Sequence, residues 1–174
     1  MIAAVRLSAA MHPAALPVAD LLRQTRETHT RRTGPGGQHR NKTQTAVVLV
    51  HLPTGIAAEA SERRSQADNR QVAARRLRHR LALEHRCPAA AGPSPLWAAR
   101  IRERRLVIAV GHDDFPALVA EALDQLEAHG MRMTPAAEIL GVTATQLANL
   151  FRKDAAAWTA LNRRRAAVGA SPLG

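Results

Sequence analysis

A glycine-rich stretch, Gly34-Pro35-Gly36-Gly37-Gln38, is the sequence feature that most restricts how this chain can fold. Three glycines and a proline do not suit the interior of a helix or strand, because glycine loses much conformational entropy there and proline has no N–H donor. The sequence therefore predicts an exposed loop, with the neutral amide of Gln38 at its tip. A loop with so few side chains is suited to close approach to another molecule.

The residues after this loop predict a small sheet packed by one helix. Residues 45–52 are rich in Val, Thr and Leu and predict a strand. Pro53-Thr54-Gly55 predicts a turn, and residues 56–60 predict the returning strand. Ser65 is expected to cap a long helix that ends near Leu83. Three apolar residues spaced four apart are expected to face the sheet: Ala73, Leu77 and Leu81.

The residues before the loop give weaker signals. Residues 1–19 predict an irregular lead-in, and Asp20 is the expected cap of a short helical turn. From Arg26 to Arg32, threonine alternates with larger polar residues, which favours an exposed edge strand. Met1 and Met11 are both possible starts of the chain.

The net charge of +11 is concentrated in the first half of the chain. Residues 23–86 hold 14 basic and 5 acidic side chains, whereas residues 87–174 hold 10 and 8. Concentrated positive charge predicts a polyanionic partner, and nucleic acid is favoured over a membrane because no aromatic-rich amphipathic segment accompanies it. The alternative for the same charges is an ordinary solvated surface.

The cysteine and the apolar runs narrow the class of protein further. A single cysteine, Cys87, excludes an internal disulfide and a cysteine-rich zinc site. No apolar run approaches the roughly 20 residues that span a bilayer. The first residues match a secretory signal poorly, whereas a mitochondrial presequence is harder to exclude. The single cysteine fits a reducing bacterial cytoplasm, which is the expected location in preference to a mitochondrion.

The second half of the chain predicts a linker followed by helices. Residues 87–111 are interpreted as a proline-rich linker with a short basic helix over residues 97–105, and residues 112–174 as a helical region. Within it, residues 136–150 resemble a helix-turn-helix, with Gly141 in the turn and Thr143 capping the second helix. This pattern is compatible with nucleic-acid binding and equally with a structural or protein-docking bundle.

Several motifs stand in order around the loop and together resemble a known family. They are Gly34-Pro35-Gly36-Gly37-Gln38, Asn41-Lys42-Thr43, Pro53-Thr54-Gly55-Ile56, Arg64-Ser65-Gln66 and Asn69-Arg70. This series resembles the catalytic (GGQ) domain of bacterial-type class I peptide chain release factors, which also occurs in stand-alone ribosome-rescue proteins. The resemblance assigns residues 20–86 to that domain. The expected fold class is α+β: a mixed sheet packed by one long helix, followed by an all-α region.

The resemblance implies hydrolysis of the peptidyl-tRNA ester on the ribosome, with large-subunit rRNA and peptidyl-tRNA as partners and no metal or other cofactor. Gly36, Gly37 and Gln38 are the implied catalytic residues, and Gln38 is a possible substrate of a methyltransferase. The implied supports of the loop are Gly34, Pro35, Asn41, Lys42 and Thr43. The candidate RNA-binding residues are Arg31, Arg32, His39, Arg40, Lys42, Arg64, Arg70, Arg75 and Arg78.

Other chemistries have weaker support in the sequence. His29, His39 and His51 lack the companions and spacing of a metal site. Ser65 has no suggestively placed histidine and is better explained as a helix cap. Because the loop begins near residue 34, we expect no codon-reading domain before it and therefore codon-independent release. The alternatives are a non-catalytic RNA- or DNA-binding regulator that uses the helix-turn-helix, and a partner of a separate decoding factor.

Overall fold

The computed structural model describes residues 11–30, 45–103 and 105–174. The chain divides into two compact units. One is Pro13–His85, and the other contains Arg86–Gly174 together with His12. Each unit has its own buried core.

The first unit is an antiparallel sheet covered by one long helix. After a short 3-10 turn at Pro13–Ala15, its elements are α1 (Val18–Arg23), β1 (Thr25–Thr30), β2 (Ala46–His51), β3 (Ala57–Ala60) and α2 (Gln66–Glu84). The strand order is β1-β2-β3. Every described pairing in this sheet is antiparallel, whereas we predicted a mixed sheet. The predicted α+β class is confirmed.

Packing between β2 and α2 follows directly from their sequences. Val47 and Leu49 of β2 are fully buried. The predicted stripe on α2 is confirmed, since Ala73, Leu77 and Leu81 are all fully buried at intervals of four residues. The α2 helix begins where predicted, because the Ser65 hydroxyl accepts a hydrogen bond from the Asp68 N–H.

The turn between β2 and β3 is held by a buried histidine. His51 is fully buried, with Nδ1 2.8 Å from Thr54 Oγ1 and Nε2 3.2 Å from Gln24 Oε1. A neutral imidazole satisfies both contacts by donating from Nε2 and accepting the Thr54 hydroxyl at Nδ1. Burial, followed by the neighbouring charge of His85, lowers the pKa of His51.

This lowered pKa predicts a loss of stability in mild acid. Because the folded state disfavours protonated His51, its contribution is fully present above the unfolded pKa of about 6.5 and is lost as the pH falls through that value. Urea unfolding between about pH 7.5 and 5.5 should show the decline. The stability of His51→Gln should depend less steeply on pH. The other histidines are unchanged in this variant, so the difference between the two proteins reports on His51. Identical pH dependences in both proteins would contradict the assignment.

The second unit is mainly helical. Its elements are α3 (Pro95–Ala98), β4 (Ile101–Arg102), β5 (Arg105–Leu106), α4 (Phe115–Ala128), α5 (Met133–Ile139), α6 (Ala144–Arg152) and α7 (Ala155–Ala167). Strands β4 and β5 form a small antiparallel hairpin. The most buried helix is α4, whose Leu118, Val119 and Leu123 are fully buried.

The segment that we interpreted as a linker packs into this unit. Trp97 is fully buried, and its indole Nε1–H donates to the Leu140 carbonyl at 2.9 Å. Ser94 caps α3 and donates from its backbone N–H and its hydroxyl to the Glu121 carboxylate. The predicted basic helix over 97–105 is wrong, because α3 ends at Ala98 and the chain continues into the hairpin.

The prediction that Asp20 caps the first helix differs from the structure. The residue before α1 is Pro17, and Asp20 lies within the first turn, where its carboxylate pairs with Arg23. Pro17 has an extended backbone and no side-chain acceptor, so α1 begins without a side-chain cap. Within residues 11–30, 45–103 and 105–174, no helix combines the length and apolarity that crossing a bilayer requires.

Candidate functional site

Most of the predicted site residues lie outside the described part of the chain. These are Arg31, Arg32, Gly34, Pro35, Gly36, Gly37, Gln38, His39, Arg40, Asn41, Lys42 and Thr43. Their predicted roles stay predictions. The structure describes the elements on both sides of them and four of the proposed RNA-binding arginines.

The strands on either side of the Gly-Gly-Gln stretch are direct neighbours. Thr30, the last residue of β1, is the register partner of Ala46, the first residue of β2. The Gly34–Thr43 stretch of the sequence therefore connects two adjacent antiparallel strands. The described positions that enter and leave it are anchored by the ladder of the sheet.

Asn69 provides a second anchor at the start of β2. This side chain is fully buried in the first turn of α2, and its Nδ2 donates to the Thr45 carbonyl at 2.6 Å and to the Arg63 carbonyl at 2.9 Å. Its Oδ1 accepts from the Arg63 N–H at 2.8 Å. Asn69 thus ties together the residue that precedes β2 and the loop that precedes α2.

Asn69 belongs to one of the motifs in the sequence, but we predicted no structural role for it. One local signal was available, since asparagine is a poor residue for a helix interior and is retained there when its side chain has other partners. Its contact with Thr45, 24 positions earlier, is set by how α2 packs on the sheet.

Arginines on and before α2 divide into paired and unpaired groups. The side chains of Arg76 and Arg80 donate to backbone carbonyls of β3, and each also pairs with a glutamate. Arg63, Arg64 and Arg75 are exposed, and their side chains make no hydrogen bond or ion pair to any residue in the described ranges. Arg63 and Arg75 line an open groove of about 300 Å³ with Asp68, Gln71 and Val72.

Two other arginines in the predicted RNA-binding set are held inside the unit. Arg70 Nε donates to Glu27 Oε2 at 2.8 Å, which links α2 to β1, although half of its side chain is exposed. Arg78 is only 7% exposed, and its Nε and Nη2 both donate to the Ala14 carbonyl. We therefore correct the prediction for Arg78: its guanidinium holds the 3-10 turn against α2 and is not presented to RNA phosphates.

The second unit contains a buried group of ionisable side chains. His12, Cys87 and Asp124 each place one potential ligand atom within 4.8 Å of the others. Asp124 Oδ1 already accepts from Arg86 Nη1 at 2.9 Å and from the Cys87 N–H at 3.1 Å. Burial raises the pKa of Asp124 to about 6 and lowers that of Arg86 to about 10, so both are charged at neutral pH.

This pairing explains the group without a metal ion. The Arg86 guanidinium balances the charge of the Asp124 carboxylate, and burial raises the pKa of the Cys87 thiol. A neutral thiol is a poor ligand and a poor nucleophile. The pair fastens the first residues of the unit to α4.

Most of the first unit and the first residues of the second unit match a known domain. The family model for the RF-1 domain matches residues 22–94. The chain is 53% identical over 55 residues to peptide chain release factor 1-like, mitochondrial, from Mus musculus, which covers 32% of this chain and 15% of that protein. It is 53% identical over 62 residues to peptide chain release factor 1 of Acidiphilium cryptum, which covers 36% and 18%.

A third relative is a release factor 2, whereas the first two carry the name release factor 1. Peptide chain release factor 2 of Variovorax paradoxus is 57% identical over 51 residues, which covers 29% of this chain and 14% of that protein. The matched part of this chain therefore spans less than a fifth of the length of each of these three relatives. Residues 22–94 therefore match the RF-1 domain, the GGQ-containing domain of class I peptide chain release factors.

Proposed function

We propose that this protein hydrolyses the ester of peptidyl-tRNA in the ribosomal peptidyl transferase centre, without reading a stop codon. The observation that carries the proposal is the complete Gly36-Gly37-Gln38 sequence inside the match to the RF-1 domain. Such an activity would serve translation termination or the rescue of stalled ribosomes. The proposed location is the bacterial cytoplasm, in preference to a mitochondrion.

The proposed reaction is attack of water on the ester that joins the nascent peptide to the terminal ribose. The tetrahedral intermediate carries an oxyanion, and the backbone N–H of Gln38 is the proposed donor to it. Gly36 and Gly37 would let the backbone approach the ester without a side-chain clash. The Gln38 side chain would admit water and exclude larger nucleophiles. No titrating group of the protein is needed for these roles.

Binding to ribosomal RNA is the proposed role of the unpaired arginines beside α2. Arg63, Arg64 and Arg75 are exposed and make no ion pair within the described ranges, so they are available to phosphates. Contacts of this kind fix position and orientation without reading sequence. Arg70 could add to this surface through the exposed half of its side chain.

Peptide release from stalled ribosomes tests the proposal. Ribosomes that hold a labelled peptidyl-tRNA on a truncated messenger would be compared with ribosomes that present a stop codon. We expect similar release rates from both and no hydrolysis of peptidyl-tRNA without ribosomes. Release that requires the stop codon would overturn codon independence. Absence of release by folded, ribosome-bound protein would overturn the hydrolase assignment.

A second candidate is a non-catalytic RNA- or DNA-binding regulator. The α5-turn-α6 arrangement favours it, since this geometry is common in nucleic-acid-binding proteins. A regulator would, however, have no use for an intact Gly36-Gly37-Gln38.

Action beside a separate decoding factor is a third candidate, which would show as release that depends on that factor. Methylation of Gln38 by a methyltransferase remains a proposal, which mass spectrometry of the native protein would test.

A further inference from the structure

Helix α6 presents one polar face outside the core of the second unit. Its Leu147, Leu150 and Phe151 are buried against the neighbouring helices. The turn before it depends on Gly141, which has a φ of +68°. The exposed residues of α6 are Thr145, Asn149 and Arg152.

The β4–β5 hairpin lies beside this face of α6. Leu106 N–H donates to Gln146 Oε1 at 3.4 Å, and the Lys153 ammonium donates to the Ile108 carbonyl. The hairpin and α6 form the two sides of an open groove of about 310 Å³. The groove is lined by Arg105, Leu106, Gln146, Asn149, Leu150 and Lys153.

Positive charge collects in and beside this groove, whose lining includes Arg105 and Lys153. The exposed cations at the hairpin and at the end of α6 are Arg102, Arg105, Arg152 and Lys153. Arg102 and Arg105 make no hydrogen bond or ion pair through their side chains to any described residue. The acidic neighbours in sequence are Glu103 and Asp154, and the Asp154 carboxylate is engaged as the cap of α7.

Elsewhere in the described part of the unit, three of the acidic side chains are paired with arginines. Asp114 pairs with Arg100, Asp124 with Arg86, and Glu127 with Arg164. The small net charge of residues 87–174 therefore conceals a separation of charge, with unpaired cations gathered at the hairpin. Such a surface attracts a polyanion.

The polar groups of α6 fit a phosphate backbone better than base edges. Gln146 Oε1 accepts from the hairpin, and Asn149 Oδ1 accepts from Arg152 Nη1 at 3.2 Å. Reading an adenine requires both the carbonyl and the amino group of such a side chain. Because one of the two acceptor positions of each carbonyl oxygen is already used within the protein, this face favours contacts through charge and shape over sequence readout.

We propose that the groove between the β4–β5 hairpin and α6 binds the phosphate backbone of double-stranded RNA. The choice of RNA over DNA rests on the proposed function, since a ribosome offers rRNA and tRNA stems. A-form helices are recognised through shape, phosphates and 2′-hydroxyls. The groove would give the protein a second point of attachment, separate from the RF-1 domain.

Charge reversal of the hairpin tests this proposal in the full-length protein. The test variant is Arg102→Glu/Arg105→Glu, whose native side chains have no described partners. The matched control is Arg132→Glu/Arg163→Glu, which makes the same change in net charge outside the hairpin and α6. Fluorescence anisotropy would measure binding to a labelled RNA duplex of about 16 base pairs between about 50 and 200 mM salt.

We expect the test variant to bind the RNA duplex at least about ten-fold more weakly, with the salt slope reduced by about 2. The control should change little, and both variants should melt like the wild type. Equal losses in test and control, no loss in the test variant, or equally tight binding of a duplex DNA of the same sequence would each overturn the proposal. Gly36→Ala should keep duplex binding while losing peptide release, which separates failure here from failure of the hydrolase assignment.

Discussion

Replacing Gly36 by alanine is expected to reduce ribosome-dependent peptide release by about 100-fold or more, while the protein stays folded and bound to the ribosome. The proposed mechanism depends on a backbone donor reaching the developing oxyanion, and removal of such a donor typically costs a factor of 10² to 10³ in rate. A Cβ at position 36 would restrict the backbone conformations that glycine alone adopts. Single-turnover release of a labelled peptide at saturating protein would measure the effect on chemistry separately from binding.

The chain provides a matched control for this substitution. A Cβ built on Gly92 meets no atom within 4 Å, so Gly92→Ala makes the same chemical change where there is room for it. We expect Gly92→Ala to release peptide at the wild-type rate. Gln38→Ala should weaken the reaction or admit other nucleophiles without unfolding the protein. If Gly36→Ala matches Gly92→Ala in rate, the loop does not carry the chemistry.

The parts of the fold that sequence predicted well depend on local interactions. Strand β2 follows from an apolar run, and Ser65 caps α2 through a hydrogen bond to Asp68, only three residues away. The turn after β2 follows from Pro53-Thr54-Gly55, where Gly55 adopts a φ of +72°. Such features are encoded within a few residues, so the sequence pattern determines them without knowledge of the tertiary fold.

The errors concern side chains whose partners are distant in sequence. Arg78 is one of several arginines on α2, yet its guanidinium is buried and donates to the Ala14 carbonyl, 64 positions away. Trp97 lies in a segment with prolines and alanines that indicated a linker, but it is buried through contact with Leu140, 43 positions later. No local pattern identifies these partners. A tryptophan and a Ser-Pro helix start within a supposed linker were the available warnings.

In the candidate site too, local features were predicted from the sequence, whereas tertiary features were not. Gly36-Gly37-Gln38 was predicted from sequence because that motif is contiguous, and its geometry lies outside the described residues. The exposed and unpaired state of Arg64 and Arg75 is a tertiary property, as is the separation of charge around the hairpin. Sequence supplied the total charge of the second half but not its distribution.

Asn69→Ala is expected to lower the free energy of unfolding of the first unit by about 2–4 kcal/mol, because it leaves buried polar groups without partners. The Thr45 carbonyl and both backbone groups of Arg63 would lose their hydrogen bonds to this side chain. Urea unfolding followed by circular dichroism would measure the loss. The exposed neighbour Gln71 offers the control, since Gln71→Ala on the same helix should change stability by less than about 0.5 kcal/mol.

The same substitution should also slow peptide release at temperatures where the variant remains folded. Thr45 lies two positions after the Gly34–Thr43 stretch, so releasing it removes one of the two described anchors of the proposed catalytic segment, and small misplacements of reacting groups are costly. Asn69→Asp separates the contacts: its carboxylate can still accept from the Arg63 N–H but cannot donate to the Thr45 carbonyl. We expect Asn69→Asp to resemble Asn69→Ala in release rate. Wild-type release by a folded Asn69→Asp variant would show that the Thr45 contact does not position the loop.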